Sequence, residues 1–291
     1  MSQAAADPAA QERLAIGRLV GGAYREVLSR PLRLAKVLAL PLGLTLILAM
    51  LGPFLADSYP HTEFPLYLAS VLPYVLLSIL WHRRVLLDLG AESPGAAVTL
   101  RRLAATLGYT ALVGSLLFLP LLLIVATYYG APSGMVPFSS VYWILGMVFS
   151  MPGIAVITLA CLALGYPASR LSLVFPATAL GQSVGLRQSW RLTAGHSRPL
   201  YGAAVAAGVS VTAATGLLIV LLFRLGAAIG ILPSDSTLDQ TRWIVGTVIA
   251  FVWAVLQLGG FAVIITVFSL AYRQLSGLGQ GARRDILERF E

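Results

Sequence analysis

Asparagine is absent from this sequence, lysine and cysteine occur once each, and charged residues make up only 11% of the chain. A soluble globular protein carries about 25% charged residues. So little charge beside 58% hydrophobic residues excludes that class and points to a membrane protein. The single cysteine, Cys161, excludes a disulfide framework, and its place within an apolar run reads as a packing residue. Nineteen arginines against one lysine, with no asparagine, read as the coding habit of a GC-rich bacterial genome rather than a chemical need for guanidinium.

What is present is a series of apolar runs near the length of about 20 residues that a helix needs to cross a bilayer. They fall at 34–56, 64–81, 106–128, 139–166, 200–223 and 243–271. Barrel strands would be shorter and would alternate in polarity, so the expected fold is all-α, a polytopic protein with six transmembrane helices. The first run is too long for a cleavable signal peptide and is expected to stay in the mature chain.

The formal net charge of +8 is mainly a topology signal. With the six runs in place, eighteen of the twenty basic residues share one side, and only Arg224 and Arg242 fall opposite, among Asp57, Glu63, Asp235 and Asp239. The positive-inside rule then places both termini in the cytoplasm of a bacterial inner membrane. No basic patch with interleaved aromatics accompanies the charge, so nucleic acid is not an expected partner.

Apolar residues recur at helical spacing in the segments before the odd-numbered runs. Ile16, Val20, Ala23 and Val27 form one such stripe, Ala96, Leu100, Leu103 and Leu107 a second, and Leu186, Trp190 and Thr193 a shorter third. Ser93 and Pro94 supply a helix start for the second. The plan is an interfacial amphipathic helix followed by an antiparallel spanning pair, used in three degenerate repeats. The tetrapeptide Ser-Arg-Pro-Leu occurs at 29–32 and again at 197–200. Proline ends one helix and suits the first turn of the next, so Pro31 and Pro199 predict sharp corners at 30–32 and 198–200. Arg30 and Arg198 then fall at headgroup depth, where guanidinium meets lipid phosphate. The chain divides into a cytoplasmic amphipathic segment (1–33), the transmembrane domain (34–272) and a cytoplasmic amphipathic tail (273–291).

The run Leu171 to Leu180, interrupted by Pro176, is too short to span. It reads as an interfacial or re-entrant segment, or as the end of a long fourth helix. Prolines at 41, 53, 73, 120 and 152 read as kinks.

Residues for catalysis are sparse. His61, His82 and His196 have no partners at metal-ligand spacing and read as polar residues at the interface. The glycines at 277, 279 and 281 follow a spanning helix rather than a strand, which excludes a dinucleotide loop and suggests a hinge. No catalytic residue, metal site or cofactor is expected. The spanning cores hold essentially no ionisable residue, which argues against an ion-coupled carrier. Gln257, beside Gly259 and Gly260, is the best polar candidate there, suited to an interhelical contact at a close-packed surface.

Arg170, Pro176, Trp190 and Thr193 form a pattern that resembles bacterial six-helix inner-membrane proteins of the YciC-type family and the membrane domain that precedes some glycerophosphodiester phosphodiesterases. The soluble catalytic domain of the latter is not expected here, so the resemblance implies a membrane fold and carries over no chemistry. The expectation is a non-enzymatic accessory or scaffold protein that organises lipid or a larger membrane complex. Arg30, Arg170, Arg187, Arg191 and Arg198 are the expected contacts to anionic lipid headgroups. The alternative is a permease-like transporter of a neutral or lipidic substrate.

Overall fold

The computed structural model describes residues 14–58, 69–87, 100–129, 163–182, 184–228 and 239–277, and every regular element among them is a helix. In chain order these are α1 (Ile16–Leu28), α2 (Pro31–Ser58), α3 (Leu72–Leu87), α4 (Leu100–Tyr129), α5 (163–171), α6 (Val174–Ala179), α7 (Leu186–Leu192), α8 (Ser197–Ala228) and α9 (Asp239–Leu275). Most of the expected fourth span, with Pro152 and Cys161, lies outside the described residues, as do His61, the Ser93–Pro94 start with Ala96, and the tail beyond Gly277.

Among the described residues three helices are long and apolar enough to cross a membrane, at Pro31–Ala49, Ser197–Leu222 and Phe251–Leu275. They are apolar on the outside as well as the inside. Leu40 and Ile47 on α2, Leu217 and Leu221 on α8, and Phe251 and Trp253 on α9 are all exposed. A continuous exposed apolar surface of this kind is what a bilayer covers. The expected third span lies within α4 as one continuous helix, whereas α3 begins at Leu72, inside the expected second span, and runs on to Leu87.

Among the described residues the core forms where α9 packs against α3, α8, α1 and α2. Its buried side chains include Leu19, Ala23 and Val27 from α1, Trp81 and Leu86 from α3, Leu200 and Ala203 from α8, and Leu258 and Val267 from α9. The amphipathic face of α1 is thus buried against α8 and α9 rather than laid in the acyl boundary, with Leu19 in place of Ile16 on the buried stripe and Ile16 exposed. A protein surface satisfies an amphipathic helix as well as a lipid surface does, and hydropathy alone does not distinguish them.

The two Ser-Arg-Pro-Leu segments differ. α1 ends at Leu28, Arg30 caps α2 by accepting Leu34 N–H at 3.1 Å, and Pro31 takes the first helical position as expected. In the second copy the corner comes earlier, in the turn of residues 193–196, where Gly195 adopts φ 80°. Here α8 already begins at Ser197, with Leu200 N–H bonded to the His196 carbonyl at 3.1 Å, so Pro199 sits inside the first turn. The expected corner at 198–200 is therefore displaced. The first three residues of a helix have no N–H partner to lose, so proline is accepted at either place. No corner separates the second stripe from its span either, because Leu100, Leu103 and Leu107 already belong to the continuous α4. Likewise Pro73, the second residue of α3, starts that helix rather than kinking it.

The short apolar run from Leu171 to Leu180 turns out to be core. Leu173, Val174, Ala177 and Ala179 are fully buried, and α6 packs against α3, α4 and α9. Its far end is tied down where the Tyr272 hydroxyl donates to the Gln182 side-chain carbonyl.

Candidate functional site

Among the described residues, one hydrogen-bonded polar cluster joins α5, α7 and the start of α8. Arg170, near the end of α5, reaches across to α7. Its guanidinium lies 3.7 Å from the centre of the Trp190 ring, Nη2 donates to the Trp190 carbonyl at 2.7 Å, and Nε donates to Thr193 Oγ1 at 3.2 Å. Ser189 Oγ returns a bond to the Arg170 carbonyl at 2.7 Å. Ser197 Oγ, one turn further on, donates to the Thr193 carbonyl at 2.9 Å and joins the start of α8 to the same cluster. Ser189 and Thr193 are fully buried.

Three of the four residues that carry the family resemblance, Arg170, Trp190 and Thr193, therefore form one clamp. The fourth, Pro176, is buried in α6. No protein-family model, curated protein or solved structure matches this chain. The clamp is thus read from its own geometry. It fastens the α7 corner onto α5, and it commits Arg170 to protein partners.

The other expected headgroup arginines are placed differently. Arg187 and Arg191 on α7 and Arg198 in the first turn of α8 are exposed. Arg30 donates through Nη1 to Glu26 Oε1 at 3.2 Å, one turn back along the chain. Gln257 is half-buried on α9, and no hydrogen bond joins it to another described residue. The close-packed surface nearby is real, since a Cβ at Gly260 would collide with a methyl of Val211 on α8, whereas Gly259 faces open space.

The inner face of α3 carries polar groups that sequence reasoning misjudged. His82, expected at the interface, is only 2% exposed. Its Nδ1 lies 2.7 Å from Ser269 Oγ, and because that hydroxyl gives its own proton to the Ile265 carbonyl at 3.0 Å, the imidazole Nδ1 is the donor. Trp81 Nε1 donates to Thr266 Oγ1 at 2.7 Å one residue earlier. Two neighbouring α3 side chains are therefore hydrogen-bonded to two α9 hydroxyls three residues apart. His196 is only partly buried and contacts the Ala194 carbonyl at 3.3 Å through Nδ1.

Beyond His82, the last turns of α3 carry Arg83 and Arg84. Arg83 is 3% exposed, and burial, then the positive charge of Arg102, push its guanidinium pKa down. Burial acts the same way on Arg84, reinforced by Arg33 and Arg30. Sequence reading gave these residues a topological meaning only. Among the described residues no group of three or more His, Cys, Asp or Glu is placed to hold a metal ion.

Proposed function

We propose that this chain is a multi-pass protein of the bacterial inner membrane, with six spans in three degenerate repeats and both termini cytoplasmic. In this reading it works without catalysis, as an accessory or scaffold protein that organises anionic lipid or a partner membrane complex. A place beside the YciC-type proteins belongs to the same proposal. The observation that carries it is the exposure of Arg187, Arg191 and Arg198 on the corner that leads into an apolar span. Guanidinium groups at that depth meet phosphate oxygens with two parallel hydrogen bonds. With Arg170 held by Trp190 and Thr193, these three remain for headgroups.

The test is mass spectrometry of lipids and proteins that co-purify in mild detergent. Enrichment of phosphatidylglycerol or cardiolipin, lost on combining Arg187→Gln, Arg191→Gln and Arg198→Gln, is the expected result. A lone monomer with neither an enriched lipid nor a partner would sink the proposal.

A second reading, a permease-like protein for a neutral or lipidic substrate, draws support from a crevice of about 260 Å³ between α3, α4, α6 and α9. Tyr74, Phe175, Phe261 and Phe268 wall it, and Ser78 and His82 are among its few polar groups. Apolar walls with a few convergent polar atoms suit a small hydrophobic ligand. Gln257 does not line it. Substrate-dependent flux in proteoliposomes, abolished by filling the crevice with Ser78→Phe, would favour this reading over the scaffold.

A further inference from the structure

The crevice of about 260 Å³ between α3, α4, α6 and α9 is apolar except at a few fixed places. α3 gives it Tyr74, Ser78 and His82, each one turn from the next, α4 gives Thr110, and Ser172 lies just before α6. Residues four apart share one face of a helix, with Cβ atoms about 5–6 Å apart. Two of the hydroxyls are already spent. Thr110 Oγ1 donates to the Thr106 carbonyl at 2.8 Å, and Ser172 Oγ donates to the Ala168 carbonyl at 2.7 Å. Tyr74 stands edge-on to Phe261, the ring centres 5.3 Å apart. Ser78 is 7% exposed, and no hydrogen bond joins it to another described residue.

His82 is fixed more narrowly. Ser269 Oγ takes the Nδ1 proton, having given its own to the Ile265 carbonyl. No Asp or Glu lines the crevice, so nothing there compensates the charge of an imidazolium, and the ring is neutral. A neutral imidazole holds a single N–H, which leaves Nε2 with a lone pair and no proton. Among the described residues, none donates to it. A buried acceptor without a donor is uncommon and costly.

We propose that the crevice binds a small apolar molecule through a hydroxyl group, an alcohol or a phenol, which donates to His82 Nε2 and accepts from Ser78 Oγ. The inference rests on the second reading's use of this crevice as a ligand site and adds the chemistry of the ligand, without requiring transport. A carboxylate, ketone or ether oxygen would set its own lone pairs against that of Nε2. An ammonium could donate, but would leave its charge among apolar walls. Volume sets the size. A cavity of about 150 Å³ holds benzene, so about 260 Å³ suits roughly ten non-hydrogen atoms. Ser269 is a positioning residue, because it decides which ring nitrogen is bare.

The experiment uses the full chain in phosphatidylcholine nanodiscs, with empty nanodiscs as the measure of partition into lipid. The probes are naphthol, which can donate a hydrogen bond, and its methyl ether, which is similar in shape and cannot. Binding is followed by thermal shift and by nitrogen NMR of histidine-labelled protein, which separates a bare ring nitrogen from a protonated one. The His82 signals are identified by their loss in His82→Phe. Naphthol is expected to bind about tenfold tighter than the ether, the worth of one buried hydrogen bond, and to shift the Nε2 signal. Ser78→Ala should weaken naphthol by about three- to tenfold and leave the ether unchanged. Ser269→Ala frees the tautomer and should narrow the preference for naphthol.

Equal affinity for the two probes overturns the inference, as does the absence of saturable binding by either. A preference for naphthol that survives in both Ser78→Ala and His82→Phe, at unchanged helicity, places the hydroxyl elsewhere and overturns it too. If Ser78→Phe blocks flux of a neutral substrate while the probes bind equally, this inference falls and the permease reading stands. Hydroxyl-selective binding without any such flux removes that reading and keeps this one.

Discussion

Arg170 holds Trp190 twice, with its guanidinium 3.7 Å from the indole ring and its Nη2 2.7 Å from the carbonyl of the same residue. A side chain on α5 thereby holds both the ring and the backbone of a residue on α7. The expected headgroup ligand is therefore the fastening of the corner that presents Arg187, Arg191 and Arg198.

Replacing Arg170 should loosen that corner. Arg170→Ala is expected to cost about 2–3 kcal/mol, since bonds from a charged donor are worth about 1.5–3 kcal/mol. Arg170→Lys keeps the charge but not the planar fork, and should cost about 1–2 kcal/mol. Reversible unfolding in detergent measures both. A double-mutant cycle with Trp190→Ala should return a coupling of about 0.5–1 kcal/mol, and zero coupling would discard the stacking contact.

Gly260 and Val211 set how closely α8 and α9 approach. Gly260→Ala should destabilise by about 1–3 kcal/mol through overpacking, and adding Val211→Ala should recover much of the loss. Gly259→Ala, facing open space, is the matched control. Equal effects of the two glycine substitutions on thermal unfolding would contradict this packing.

The Trp81 indole and the Thr266 hydroxyl form a buried pair. Thr266→Val leaves the indole N–H without an acceptor and should cost about 1–3 kcal/mol. Removing both partners with Trp81→Phe and Thr266→Val should cost less than the sum of the two single changes. Strict additivity would mean that the bond contributes nothing.

Gly195 makes the second corner. A side chain at φ 80° is strained, so Gly195→Ala should cost roughly 1–2 kcal/mol. Pro199→Ala should stay within about 0.5 kcal/mol, because a first-turn position loses no hydrogen bond whichever residue fills it. A larger cost at Pro199 than at Gly195 would return the corner to 198–200.

The all-helical class and the three apolar spans were legible in the sequence, because both follow from local rules. Long apolar runs leave a backbone only helical hydrogen bonds, and proline at the head of α2 marks its start without reference to anything distant. The amphipathic character of α1 was legible too, but not the surface its apolar face meets. A stripe such as Leu19, Ala23 and Val27 records that something apolar covers it, and α8 and α9 do so here.

The candidate site was legible only in part. Arg187, Arg191 and Arg198 could be singled out from their place before a span, and Arg170, Trp190 and Thr193 from their pattern. That Arg170 serves the fold, that His82 lies in the core against Ser269, and that Ser78 and His82 line one crevice with Thr110 and Ser172 depended on contacts between distant segments. His82 and Ser269 are 187 residues apart in the chain. Composition and periodicity set which residues need burial or a partner. Which partner each one finds is settled when the helices pack, because a hydrogen bond or a charge cluster requires atoms within a few ångströms, and only tertiary structure brings them there.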